Sequence, residues 1–269
     1  MPAIQPERLR IESARLVESF NQPGAFVRGL RQILERYGDH TYRPGQTGRP
    51  PSLLPSHNVP PPVLRQVAQD VKAAASQDPT AALTLCDALW AENGLEARLL
   101  ASALLGSLPT ENAEQVIQRL STWARAGGEE TFLNTILDQG LQTLRRQAPA
   151  QALVLADSWL QSSKTPEQQL GMHVLLAMLA EPAFEDLPSV YRLIAPFLRT
   201  APALLRPDLL NVLAALARRS PQETAYLLKQ ALNASENAET AWLTRQALDN
   251  FPPGVLENLK SELKKVGGL

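Results

Sequence analysis

The sequence predicts an all-α protein built from helix pairs stacked one on the next. Three observations predict it. Apolar residues recur at i, i+3 and i+4 in short runs along most of the chain, the pattern of one buried face on a helix. Hydrophobic residues make up 44% of the 269 but aromatics only 5%, so Leu and Ala, both strong helix formers, must supply the packing. The 14 glycines and 22 prolines fall mostly between the apolar runs, where they punctuate helices rather than break them.

The stretch from Leu85 to Trp123 organises the rest. Leu85, Leu89 and Trp90 stripe one helix. Leu95, Leu99, Ala103 and Leu104 stripe a second, which starts after Gly94. Val116, Ile117 and Leu120 stripe a third after Pro109, with Thr110 placed to cap it. Helix, turn, helix, turn is the signature of a repeat stack, in which no helix covers its apolar face alone.

The remaining elements follow in order. Residues 1–38 form an N-terminal helical pair: Pro6–Phe20, then Gly24–Tyr37 with Phe26, Val27, Leu30, Ile33 and Leu34 on one face. Residues 39–62 hold seven prolines, which remove amide donors and restrict their neighbours, so no regular element is expected there. A loop of this length is functional or mobile as a rule. Tyr42, Leu53 and Leu54 are the side chains placed to pin it, and His40 and His57 read as solvated loop histidines. From residue 63 to 269 the alternation continues through Val63–Ala75, a helix from Pro79, Phe132–Leu144, Ala150–Leu160, Thr165–Leu179, Asp186–Leu198, Pro207–Ala217, Gln222–Leu232, Ala238–Leu248 and a last helix from Pro253. Each pair takes roughly 35–45 residues, the spacing of HEAT-type arrays. The expected architecture is a HEAT-like helical-repeat solenoid, an α-α superhelix forming a single curved domain with the N-terminal helices continuous with the repeats.

Composition excludes several classes of function. Twenty-six basic against 27 acidic residues give a net charge of -1, so any nucleic-acid site must be a local patch. Cys86 is the only cysteine, which rules out a disulfide framework and a cysteine-rich metal site. It sits on an apolar helix and reads as a buried, inert thiol. No apolar run approaches the ~20 residues of a membrane span, and no signal peptide opens the sequence. A soluble, cytoplasmic monomer without metal, cofactor or membrane partner is expected. The sequence has no glycine-rich phosphate loop, HExxH, CxxC or nucleophile elbow.

Five segments carry a resemblance. They are VPPPVLRQVAQDV, LCDALWAENGLEARLLASALLG, STWARAGGEETFLNTILDQ, ALVLADSWLQSSKTPEQQLGMHVLLAML and TAWLTRQALDNFP. In their order and spacing, from Val59 onward, the chain resembles the AlkD-like DNA alkylation repair proteins, which are HEAT-like stacks. Active members of that family excise alkylated bases as DNA glycosylases. They pair cleft aromatics with a carboxylate that stabilises positive charge developing at the sugar. Trp123 matches the first aromatic position. The carboxylate position one turn later is Gly127 here. Glu129 and Glu130 are the nearest carboxylates, and the resemblance assigns them the catalytic role. The second cleft aromatic falls near Asn211, the Arg after it near Ala214, and the basic pair before Gly171 reads Gln169-Leu170. A cationic transition state needs a fixed negative charge in a low-dielectric cleft, so these departures argue against excision.

The basic residues are the other candidates. Residues 192–219 hold five arginines against one acid, Asp208. Arg145 and Arg146 form a second cluster, Arg125 lies beside Trp123, and Arg245 is the family's clearest remaining basic position. Guanidinium groups bind phosphate bidentately, which assigns Arg125, Arg145, Arg146, Arg206, Arg218, Arg219 and Arg245 to DNA, and the resemblance adds Trp123 facing the lesion. His173 reads as a helix histidine with its bonds satisfied. Two functions follow: recognition of duplex DNA, alkylated or not, or a non-enzymatic scaffold whose concave face holds a protein partner.

Overall fold

The computed structural model describes residues 5–39, 41, 53–200, 202–234 and 238–266. Among them are fifteen α-helices, three short 3-10 turns and no strand. The chain divides into two compact units, Met1–Gln147 and Ala148–Leu269.

The first unit contains α1 (Pro6–Glu18), α2 (Pro23–Tyr37), α3 (Pro61–Gln77), α4 (Pro79–Ala91), α5 (Leu95–Leu105), α6 (Ala113–Arg125), α7 (Glu130–Gly140) and α8 (Gln142–Gln147). Next-but-one helices pack side by side: α1 on α3, α3 on α5 and α5 on α7 form one row, and α2 on α4 begins a second. The second unit repeats the scheme with α9 (Pro149–Leu160), α10 (Thr165–Leu179), α11 (Leu187–Thr200), α12 (Arg206–Arg219), α13 (Pro221–Ala234), α14 (Ala238–Ala247) and α15 (Pro253–Val266). There α9, α11, α13 and α15 make one row and α10, α12 and α14 the other. The all-α prediction therefore holds, as helix pairs in two layers within each unit.

Proline explains the sharpness of the starts. Seven helices begin on it (Pro6, Pro23, Pro61, Pro79, Pro149, Pro221 and Pro253), where the missing amide would have had no intrahelical acceptor. Asp78 adds a side-chain cap to α4, its carboxylate accepting the Ala81 amide at 2.9 Å. Three predicted elements differ in detail. Thr110 opens a 3-10 turn, Thr110–Asn112, rather than capping α6 directly. The helix expected over 132–144 is two, α7 and α8, broken at Leu141. Pro61 and Pro62 are already inside α3.

The cores are aliphatic, as composition demands. Val63, Val67 and Val71 on α3, and Leu85, Cys86 and Leu89 on α4, are completely buried. Burial pushes the Cys86 thiol far above its ordinary range, and its Sγ lies 3.5 Å from the Ala101 carbonyl. At the crossing of α5 and α7 small residues let the backbones come close. A Cβ on Gly106 would stand 1.8 Å from the Gln139 carbonyl oxygen. Ser102 Oγ donates to the Ile136 carbonyl at 2.6 Å in the same crossing. No helix among the described residues is long and apolar enough to cross a membrane.

Candidate functional site

Trp123 lies in the last turn of α6 and is buried, 4% exposed. Its indole stacks face to face on Trp90, at the end of α4, with ring centroids 4.2 Å apart and planes within 4°. Arg98, in α5, holds its guanidinium 4.8 Å from the Trp90 centroid and donates to the Trp90 carbonyl at 3.3 Å. Two parallel rings at stacking distance leave no room between them, so Arg98 covers the face of Trp90 that Trp123 does not. Phe132, in the first turn of α7, closes the cluster at 6.0 Å from Trp90. Offset stacking and cation–π contact both stabilise such an arrangement beyond its buried area. Arg119 ties the same two helices, gripping both oxygens of Asp87 at 2.8 and 2.7 Å.

Gly127 ends α6 by turning left-handed, with φ +82°, and a Cβ there would meet nothing within 4 Å. Position 127 is thus no longer one helical turn on from Trp123. The helix has stopped, and the backbone leaves at a conformation that L residues rarely adopt. Gly128 follows with φ +152°. Glu129 is the N-cap residue of α7, and its carboxylate accepts the Leu53 amide. Glu130 sits exposed in the first turn of α7.

The Leu53 contact revises the reading of the proline-rich segment. His40 and Tyr42 lie outside the described residues. Leu53 is 82% exposed and pins nothing with its side chain. Leu54 is half-buried, and polar groups also hold the described part of the segment: the Leu53 amide on Glu129, the Pro55 carbonyl accepting the Leu95 amide at 2.9 Å, and Ser56 Oγ donating to Glu96 at 2.7 Å. The His57 carbonyl accepts the Asp39 amide at 3.0 Å.

The arginines fall into two groups. Arg125 and Arg146 in the first unit, and Arg218 and Arg245 in the second, are exposed. Arg145 is buried and pairs with Asp138 at 2.5 Å. Arg219 donates to the Leu179 and Glu181 carbonyls at 3.3 and 3.2 Å and to that of Phe184, closing the end of α10. Arg206 pairs with Glu239 and lies 5.0 Å from the centroid of Trp242, which is 37% exposed. Trp242 and Arg245 are one turn apart on α14, so the second unit presents an aromatic flanked by two guanidinium groups. His173 places Nε2 3.0 Å from Asp208 Oδ1, and Gln169 donates to the other Asp208 oxygen at 3.2 Å.

Sequence reasoning placed the helix break at Gly127 and Gly128, whereas Trp123, which it assigned to DNA, is buried against Trp90. It missed the residues that surround them: Trp90, Arg98, Phe132, Glu96 and Trp242. Neither the curated proteins nor the solved structures give a match to the chain. A family model described as DNA alkylation repair enzyme matches residues 30–251, well over half of the sequence, and the chain therefore belongs to the DNA alkylation repair enzyme family.

Proposed function

We propose that this protein recognises duplex DNA in alkylation repair and does so without cleaving the glycosidic bond. The observation that carries the reading is Gly127. A fixed carboxylate in the cleft is the group that would stabilise an oxocarbenium-like transition state. In this chain that position has no side chain and stands past the end of its helix. Glu129 is engaged by the Leu53 amide, which leaves Glu130 as the nearest exposed carboxylate. Trp123, packed on Trp90, serves the scaffold, and Trp242, beside Arg206, is an exposed aromatic that a nucleic acid can reach. Phosphate contacts fall to Arg125, Arg146, Arg218 and Arg245, supported by Arg206 beside Trp242.

The test pairs binding with product. The intact protein is mixed with a methylated duplex, complex is measured by gel shift, and released base is measured from the same reaction. Complex without base release above the protein-free control is expected. Base release that disappears in Glu130→Gln would overturn the non-catalytic reading. Release that disappears in Glu129→Gln would do the same and would also mean that Leu53 lets go of that carboxylate.

A further inference from the structure

The first unit contains a cleft that neither the stacked tryptophans nor the exposed arginines account for. It has a volume of about 810 Å³ and lies between α3, α5 and the segment that enters α3. That size falls within the roughly 300–1,000 Å³ of small-molecule sites. Its walls are apolar: Val59, Pro61, Leu64, Leu99, Leu100 and Ala103. Two groups in its lining are short of donors. Glu96 is 97% buried; Ser56 supplies one hydrogen bond to Oε1, while Oε2 is buried with no partner. Gln139, which also lines the cleft, has a buried Oε1 with no partner. A buried carboxylate oxygen without a donor is a standing cost; both oxygens are enclosed in this conformation, so a ligand that brings N–H groups meets them once the two side chains turn toward the cleft.

The opposite requirement holds on α3. Arg65, Ala68, Gln69 and Lys72 recur at helical spacing and therefore share the face that lines the cleft. Arg65 is exposed. Lys72 spends one donor on Gln142 at 3.2 Å, which leaves others on the same ammonium. The lining thus combines two donor-seeking oxygens, apolar walls and two cations. A flat base with an amino edge, joined to a phosphate, meets all three requirements.

We propose that this cleft binds a single nucleotide whose base carries an exocyclic amine. Glu96 and Gln139 accept the N–H groups of the base edge. The Leu and Val walls hold the ring, as they do for bases taken out of a stack. Arg65 and Lys72 take the phosphate. The nucleotide is either free or one unit of a single strand. The proposal rests on the first unit alone and stands or falls separately from duplex binding.

Calorimetric titration of the intact protein tests it, with dGMP, dTMP, deoxyguanosine, inorganic phosphate and the oligonucleotide d(G)6 as probes. Thymine flanks its single N–H with two carbonyls, which would face Glu96 and Gln139 without donors, so dGMP should bind about tenfold or more tighter than dTMP. Glu96→Gln, which can keep a hydrogen bond to Ser56, should narrow or invert that preference. Lys72→Gln should weaken dGMP and leave deoxyguanosine unchanged. Ala103→Leu, which fills the cleft from its wall, should abolish both while leaving duplex binding intact. Tighter binding of d(G)6 than dGMP assigns the site to a strand, and the reverse assigns it to a free nucleotide. Equal affinity for dGMP and dTMP, equal affinity for dGMP and phosphate alone, or no heat with dGMP at millimolar concentration on folded protein would each overturn the proposal.

Discussion

Replacing Gly127 with Asp returns a carboxylate to the position where the family's cleft residue would stand, and the structure says what it should do. Space is no obstacle, because a Cβ at 127 meets nothing within 4 Å. Conformation is. The residue has φ +82°, and an L side chain there costs on the order of 1 kcal/mol, with Asp among the better tolerated. The new charge also lies at the C-terminal, negative end of the α6 dipole, worth roughly another 0.3–1 kcal/mol. A loss of about 1.5–2 kcal/mol is expected, read as a lower urea midpoint at unchanged slope. Gly127→Ala shares the conformational cost without the charge and should lose about 1 kcal/mol. In a base-release assay on a methylated duplex, Gly127→Asp should stay silent, because the left-handed backbone does not aim position 127 as a helical residue would. Base release by this variant would refute the reasoning, and so would an unchanged urea midpoint.

Two further substitutions test the packing and the charge placement. Gly106→Ala puts a methyl 1.8 Å from the Gln139 carbonyl oxygen, a backbone atom that cannot rotate away, so it should lose more than about 3 kcal/mol in urea unfolding, whereas Gly254→Ala, with nothing within 4 Å, should lose nothing. Glu12 is 14% exposed; burial pushes its carboxyl up, but Arg8, the Tyr37 hydroxyl and Arg36 outweigh that and hold it below its ordinary 4.5. A carboxyl lowered by folding stabilises the fold above its unfolded value and loses that contribution as pH falls through the folded value. Stability of the parent should therefore drop below about pH 4.5 more steeply than that of Glu12→Gln, and parallel acid curves would contradict the assignment.

Much of the architecture was legible because one rule governs it. A Leu- and Ala-rich helix between prolines can only be a short amphipathic rod, so Thr165–Leu179 emerged at both predicted ends. Boundaries slipped where a local competitor intervened. Leu141 interrupts what periodicity reads as one helix, because the backbone near Gly106 accepts both the amide and the hydroxyl of Thr143, at 3.1 and 2.6 Å. The site was legible only in part. Gly127 could be read directly as a missing carboxylate. The partner of Trp123 could not, since Trp90 lies 33 positions earlier and their contact depends on how α4 and α6 meet. Charge was the least legible layer. Arg145, Arg218 and Arg219 look alike in the sequence, yet one is buried against Asp138, one is exposed and one closes a helix end. Which role an arginine takes depends on acceptors brought to it by other helices.

The dependence of duplex binding on salt tests the central claim most directly. Four exposed arginines, Arg125, Arg146, Arg218 and Arg245, predict that the logarithm of the binding constant falls against the logarithm of salt concentration with a slope of about -3 to -4. Arg245→Gln should make that slope shallower by about 1. Binding that is insensitive to salt, or a slope unchanged in Arg245→Gln, would contradict recognition of DNA through these phosphate contacts and would point to a protein partner instead.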